Sequence, residues 1–282
     1  MIMRIKLLFA VSLFLLLSIG PAVAGETPDD KIVVGLPLTG PEAVAFLQTA
    51  EVVSKPEDFD DLAITSPRRL ELSDGDRTLR VIFKDENTLH RGVFRYGDGR
   101  EVPFVKDSYL HEIAAYELAL MLGLEMVPAC VERKLFSRKG SLCLWVEEAI
   151  TEAERKERAI EPPDRNLFNQ QMYDLRFFQQ LIADQDFSNI RNILVDRDFR
   201  VYKVDSSMAF HPENALIDQL NSPVYSRRLL TALESLDRAQ LEERLKPSLI
   251  KAEIRSLWGR RERILERAQQ LIAEHGEDKI LY

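Results

Sequence analysis

Two short β-prone runs, Asn192 to Val195 and Phe199 to Val204, are separated only by Asp196, Arg197 and Asp198. Valine, isoleucine, leucine, phenylalanine and tyrosine dominate both runs and the polar residues between them supply turn chemistry, so the segment is expected to close as an antiparallel hairpin. The closed hairpin is expected to set Asn192 roughly opposite Asp205, where paired Cα atoms lie about 4.5 to 5.5 Å apart. Asp186 precedes Asn192 by six residues, in the polar loop DQDFSNIR that feeds the same end of the hairpin. Three oxygen-bearing side chains therefore converge on one open end, and the rest of the chain must be built around them.

An amide oxygen beside a carboxylate suits Mg²⁺ or Mn²⁺, hard cations that keep several waters and bind together with phosphate oxygens. A third carboxylate not needed for metal is free to take a proton from a hydroxyl. The same residue types also cap and turn chains for purely structural reasons, so the choice between the two rests on what accompanies them.

With 282 residues, 45% of them hydrophobic, the chain can bury a sizeable core as one large domain or two lobes. The formal charge is -8, and it becomes more negative if Arg4 and Lys6 are removed. Nucleic acid and anionic membrane are therefore poor partners. Residues 1–24 read as a secretory signal: a basic start at Arg4 and Lys6, an apolar run from Leu7 to Gly20, and the small-residue site Ala22-Val23-Ala24. The run is short for a membrane span, so no stable span is expected after cleavage near Gly25, with an uncleaved anchor as the alternative. No cysteine follows to carry a lipid and there is no Asn-x-Ser/Thr site, which favours a bacterial periplasm.

Cys130 and Cys143 are the only cysteines, and both fall on one expected hairpin between Leu124 and Val146. With its turn near Arg138 and Lys139, Cys130 faces Glu147 and not Cys143, so a bridge requires the register to shift. Without a CxxC spacing, metal ligation has no support. His90, His111, His211 and His275 show no metal-ligand spacing either.

Taken in order, Pro41 opens a short helix through Ala50. Strands over Arg68–Leu72 and Arg77–Lys84 follow, joined by a turn containing Asp74-Gly75. Leu79, Val81 and Phe83 share one face of the second strand and Lys84 lies on the other. Gly92, Gly97 and Gly99 punctuate a loop, after which Asp107-Ser108 caps a helix through Leu122. That helix is apolar nearly all round, hence buried, yet it carries Glu112. A buried carboxylate needs a cation, and Lys84 is the natural one.

Residues 152–165 are charged and contain Pro162-Pro163, an irregular insert after a lobe boundary at Glu147 and Glu148. A helix over Asn166–Ala183, with Leu167 among its inward residues, leads into the polar loop. Beyond Phe210 helices are expected over Tyr225–Leu233, Ala239–Leu245 and Leu249–Ala273, the last with Ile250 on its apolar face.

Taken together, VIFK ending at Lys84, HEIAAYELALMLGLEMVPACVER from His111, GSLCLWVEE from Gly140, DQDFSNIRNILV, VDSSMAF and WGRRERIL form an ordered set. That set resembles the kinase-like superfamily of the phosphatidylinositol 3- and 4-kinases, the HipA toxin kinases and the secretory-pathway casein kinases. The resemblance covers essentially everything after residue 24. It implies an α+β, two-lobed protein-kinase-like fold, with a small β-rich N-lobe (25–147) holding one buried helix and a larger, mainly helical C-lobe (148–282). It also implies that Lys84 holds nucleotide phosphates, that Glu112 orients it, that the backbone of Trp145, Val146 and Glu147 meets adenine, that Asp186 is the catalytic base, and that Asn192 and Asp205 are metal ligands. ATP with Mg²⁺ or Mn²⁺ would be the cofactor, and a hydroxyl on a protein, lipid or sugar the acceptor.

Two positions depart from the pattern of these relatives. Asp186 to Asn192 spans six residues where five is usual, the usual spacing being kept by Asp184 to Asn189; Asp186 is preferred because Asn192 keeps its place in the hairpin. The phosphate-covering turn lacks glycine and reads Ala63-Ile64-Thr65-Ser66. An exported kinase is therefore the leading reading, beside an inactive kinase-like binding module and an enzyme that transfers AMP with the nucleotide reversed.

Overall fold

A computed structural model describes residues 33–58 and 67–282. The leader segment 1–24 and the Ala63–Ser66 turn lie outside these residues. The elements in order are α1 (Gly40–Thr49), β1 (Glu51–Val52), β2 (Glu57–Asp58), β3 (Arg68–Ser73), β4 (Thr78–Lys84), β5 (Asn87–Arg95), β6 (Glu101–Ser108), α2 (Tyr109–Met121), β7 (Cys130–Leu135), β8 (Arg138–Leu144), β9 (Ala149–Thr151), α3 (Glu152–Glu157), α4 (Arg165–Ile182), β10 (Ile193–Asp196), β11 (Val201–Lys203), α5 (Arg227–Glu234), α6 (Arg238–Leu245), α7 (Lys251–His275) and α8 (Glu277–Ile280). The architecture is two-lobed α+β, with a β-rich N-terminal sheet and a mainly helical C-terminal region.

The main sheet runs β1-β3-β4-β8-β7, with β2 also paired to β3. Alternation decides which side faces the core. Leu70, Val81 and Leu144 stand opposite one another on three adjacent strands, as do Phe83, Leu142 and Val131, and all six are buried. Removing such a block of apolar surface from water is the main force holding the sheet to its helices. Helices α1 and α2 pack on β7 and β8. Pro41 sits at the start of α1, Ser108 caps α2 by accepting from the Leu110 amide, and Gly123 just past α2 takes φ +62.

Four local expectations change. Residues 87–108 form the two-stranded ribbon β5–β6 where the glycines point to a loop; they disguise a ribbon whose faces are mostly exposed. The β7–β8 turn falls on Phe136 and Ser137, both at positive φ, so Cys130 pairs with Cys143 and the two form a disulfide with Cα atoms 4.1 Å apart. The charged insert contains α3, opened by a capping box between Thr151 and Glu154. In the central hairpin Asp196 stays in the strand and the turn falls one residue later, on Arg197 to Phe199 with Phe199 at φ +59, so Ile193 pairs with Lys203 and Asn192 stands against Val204, next to Asp205.

The helical region builds its core on α4 and α7, which pack together. Asp164 caps α4 through the Asn166 and Leu167 amides, and Leu175, Phe178, Leu181 and Ile182 are buried along it. Leu167 and Ile250 were expected inside and are 55% and 58% exposed. Each lies at the start of its helix, on the side that faces solvent. Arg260 on α7 is fully buried and donates to the carbonyls of Leu181, His211 and Glu213. With no carboxylate beside it, burial draws its pKa down to about 9. Among the described residues no helix is long and apolar enough to cross a membrane.

Candidate active site

Lys84 ends β4 on the face away from the sheet core, and Gly140 of β8 lies so close to it that an added Cβ would sit 2.3 Å from the Lys84 carbonyl oxygen. The close approach of the two strands fixes where the lysine stem leaves the sheet. Its Nζ lies 2.8 Å from Oε1 of Glu112 and 2.8 Å from Oδ1 of Asp205. Burial pulls the lysine pKa down, but the charges of Asp205 and Glu112 and their hydrogen bonds outweigh it, and the net shift is upward. Burial likewise pushes Asp205 up and is outweighed, chiefly by Lys84, so this carboxyl is held well below the usual range.

Glu112 does more than neutralise the lysine. Its Oε2 accepts the backbone amide of Ser206 at 3.0 Å, which docks the segment after β11 onto the first turn of α2. Asp205 takes φ +55, a conformation that turns its carboxylate back toward Lys84, and the Ser207 hydroxyl donates to its Oδ1 at 3.0 Å.

Asp186 lies on the loop after α4. The side-chain amides of Asn189 and Asn192 both donate to its Oδ2, at 3.0 and 2.8 Å. Burial, with the charges of Asp184 and Asp205, raises its pKa to about 6, although the Asn189 hydrogen bond and the Lys203 charge pull the other way. The structure thus joins Lys84, Glu112 and Asp205 in one ion cluster, joins Asp186 to Asn192, and places Asp186 within electrostatic reach of Asp205.

Asp184, the other carboxylate with the usual spacing, is wholly buried and faces the equally buried Lys203 at 3.3 Å. It cannot present an oxygen to a substrate. It instead accepts the Asp186 amide and the Gln179 side chain, which makes it a support for the loop.

At Trp145–Glu147 the main chain alternates as an extended strand does. Both the N–H and the C=O of Glu147 pair with Gly35, at 2.8 and 2.9 Å, while its side chain binds Arg80. The Trp145 amide pairs with the Arg80 carbonyl, and the indole lies under the guanidinia of Arg69 and Arg80. Among the described residues no bond of this kind takes the main chain of Val146. Of Trp145, Val146 and Glu147, Val146 is the one left to offer a main-chain donor and acceptor.

Several contributors were not read from the sequence. Asp107, beside the Ser108 cap, is buried against Ser207, and desolvation lifts its pKa. The ribbon tip reaches the Asp186 loop: Arg100 donates to the Gln185 carbonyl at 2.7 Å and covers the Phe187 ring at 4.1 Å. Lys203 looked like an ordinary strand residue. A lysine flanked by Tyr202 and Val204, with Asp205 two residues on, is the available signal.

Among the described residues no three His, Cys, Asp or Glu side chains are grouped to hold an ion. Asn192, which donates through Nδ2, keeps its amide oxygen as an acceptor, and the Asp205 side chain retains 40% of its surface. Two hard oxygens fit a divalent cation that arrives with phosphate oxygens and water, and do not fit an all-protein cage.

No family model and no curated protein matches the chain. Among solved structures it is similar to hydra Fam20 with sugar, at a TM-score of 0.63 and 14% identity over 84% of this chain and 90% of that one. It is also similar to the Helicobacter pylori proinflammatory kinase CtkA, at 0.51 and 11% over 81% of this chain and 98% of the other. At these identities the likeness is one of fold, and that fold is kinase-like.

Proposed function

We propose that the chain is an exported phosphotransferase of the phosphatidylinositol 3-/4-kinase-like superfamily that uses ATP with Mg²⁺ or Mn²⁺ to phosphorylate a hydroxyl. The observation that carries this reading is the lysine bridge: one ammonium 2.8 Å from both Glu112 and Asp205. A buried cation tied to two acids that come from distant parts of the chain is an expensive arrangement unless a polyanion uses it.

Lys84 would meet the nucleotide phosphates and Glu112 would keep its ammonium aimed at them. Asn192 and Asp205 would hold the cation, which when bound neutralises charge on the phosphates. Val146 would offer its N–H and C=O to adenine. Asp186, with a pKa of about 6, is mostly ionised at neutral pH and would accept the proton released by the attacking hydroxyl. Its hydrogen bonds to Asn189 and Asn192 orient the carboxylate and leave its other oxygen for the acceptor. Catalysis would come from positioning and charge neutralisation.

The lobes would be 25–147 and 148–282, meeting where Glu148 takes φ +50. The Cys130–Cys143 bridge supports an oxidising compartment, in keeping with a cleaved leader at 1–24 and a periplasmic or secreted site. Because a similar fold was solved with a sugar, a sugar hydroxyl is the first acceptor to test, ahead of protein and lipid. An inactive binding module is the second reading. It is favoured by the direct Lys84–Asp205 bond, which engages the carboxylate needed for metal.

Incubation of the protein and Mn²⁺ with γ-labelled or α-labelled ATP, against sugars, lipids and periplasmic extract, separates the readings. A kinase transfers only the γ label, and Asp186→Asn abolishes the transfer. Transfer of the α label identifies AMP transfer, and nucleotide binding without either transfer identifies a binding module.

A further inference from the structure

His111 opens the motif that contains Glu112, yet it plays no part in the scheme above. It is 1% exposed, and its ring joins three separate parts of the fold. Nδ1 lies 2.9 Å from the Ser207 carbonyl oxygen. A carbonyl only accepts, so Nδ1 carries the proton and donates. Nε2 faces Oε1 of Glu253 in the first turn of α7 at 3.4 Å, and the Phe210 ring meets the imidazole edge-on at 5.6 Å. Glu253 is itself fixed, because Lys106 of β6 lies 3.1 Å from Oε1 and the Ile250 amide donates to Oε2 at 2.8 Å.

Ser207 is the link to the candidate metal site. Its carbonyl takes the His111 ring and, at 3.0 Å, the Ser108 amide, while its hydroxyl donates to Oδ1 of Asp205. We propose that His111 is a positioning residue for Asp205: Nδ1–H holds Ser207 so that the serine hydroxyl stays on the Asp205 carboxylate, and a proton on Nε2 lets Glu253 steady the ring from α7. The inference rests on the reading of Asp205 as a metal ligand. It gives α7, which contributes no residue to the site, a direct mechanical hold on it.

Three variants test this in the full chain. His111→Leu removes the donor, His111→Gln restores one N–H of similar reach, and Glu253→Gln removes the charge behind the ring while keeping the cap. Calorimetry with Mn²⁺ and ATP should show affinity on the order of tenfold weaker in His111→Leu, the scale found when support behind a metal ligand is removed. Affinity should be largely recovered in His111→Gln and intermediate in Glu253→Gln. Equal affinity in all four proteins would overturn the proposal.

A second readout needs no nucleotide. Imidazole ¹⁵N–¹H spectra of the wild type should show a slowly exchanging Nδ1–H that vanishes in His111→Gln, and the Ser206 and Ser207 amide resonances should move in the leucine variant and return in the glutamine one. Failure of wild-type ATP binding would count against the proposed function alone. An absent Nδ1–H, or unmoved serine amides, would count against His111.

Discussion

The Lys203 ammonium stands 3.3 Å from the Asp184 carboxylate, and neither side chain reaches solvent. Its other two donors go to the carbonyls of Val204 and Asp205, each at 2.7 Å, and Asp184 in turn accepts the Asp186 amide at 3.1 Å. One buried cation thereby sets the spacing between the loop that carries Asp186 and the segment that carries Asp205. The buried pair thus ties the Asp186 loop to the segment that carries Asp205.

Breaking that pair should be costly. Lys203→Met leaves Asp184 buried without a counter-charge, and urea unfolding should show a loss of about 3–5 kcal/mol. Adding Asp184→Asn to the same chain should recover part of the loss. A loss below about 1 kcal/mol, the range of exposed pairs, would show that water reaches the pair.

Asp186 gives a pH dependence of defined sign. Its pKa rises from the ordinary 3.8 to about 6 on folding, so between these values the folded chain holds a proton that the unfolded chain has released. Stability from this group therefore falls as pH climbs through the window, and the penalty is complete above about 6. After discounting for its partial exposure, Asp186→Asn should stabilise the protein by about 1–2 kcal/mol at pH 7 and by nearly nothing at pH 3.5. Phosphoryl transfer in the wild type should rise with pH and reach half its plateau near the same value. A pH-independent difference between the two proteins would contradict the assignment.

Gly35 sits where a side chain has no room. It takes φ +78, and a Cβ there would come within 2.3 Å of the Tyr202 hydroxyl and 2.8 Å of Oδ2 of Asp196. Gly35→Ala should lower stability by about 1–3 kcal/mol through backbone strain and overpacking. Because Gly35 also pairs with both main-chain groups of Glu147, the substitution should speed amide exchange at Glu147, which a surface effect would leave unchanged.

Much of the candidate site was legible because its logic is one of charge at fixed places. A lysine ending a strand, a glutamate in a helix with no polar face, and three oxygen-bearing residues around a hairpin point to one pocket whatever the loops do. The misreadings came where turn geometry decides. Phe136, Ser137 and Phe199 all adopt positive φ, which residues of these types rarely do; the first two make the turn that aligns the cysteines, and the third belongs to the turn that sets Asn192 against Val204. The ribbon β5–β6 was missed because its faces are mostly exposed and carry no clean alternation. Lys203 was missed because a single buried charge in a strand looks like any solvent-facing lysine until its partner is located.

The Cys130–Cys143 bridge closes a short loop between strands already paired. Reduction should lower the unfolding free energy by about 2–3 kcal/mol, the value for a loop of this length, without loss of the folded state. Urea denaturation with and without reductant measures this, and no change would mean that the thiols are unlinked in solution.

The account rests on the Lys84–Glu112–Asp205 cluster being a nucleotide and metal site, and calorimetric titration of ATP with and without Mn²⁺ tests that most directly. Saturable binding that requires Mn²⁺ in the wild type, and that disappears in Asp205→Ala while the circular dichroism spectrum is unchanged, is the expected result. Absence of binding in the wild type, or binding that persists undiminished in Asp205→Ala, would contradict it.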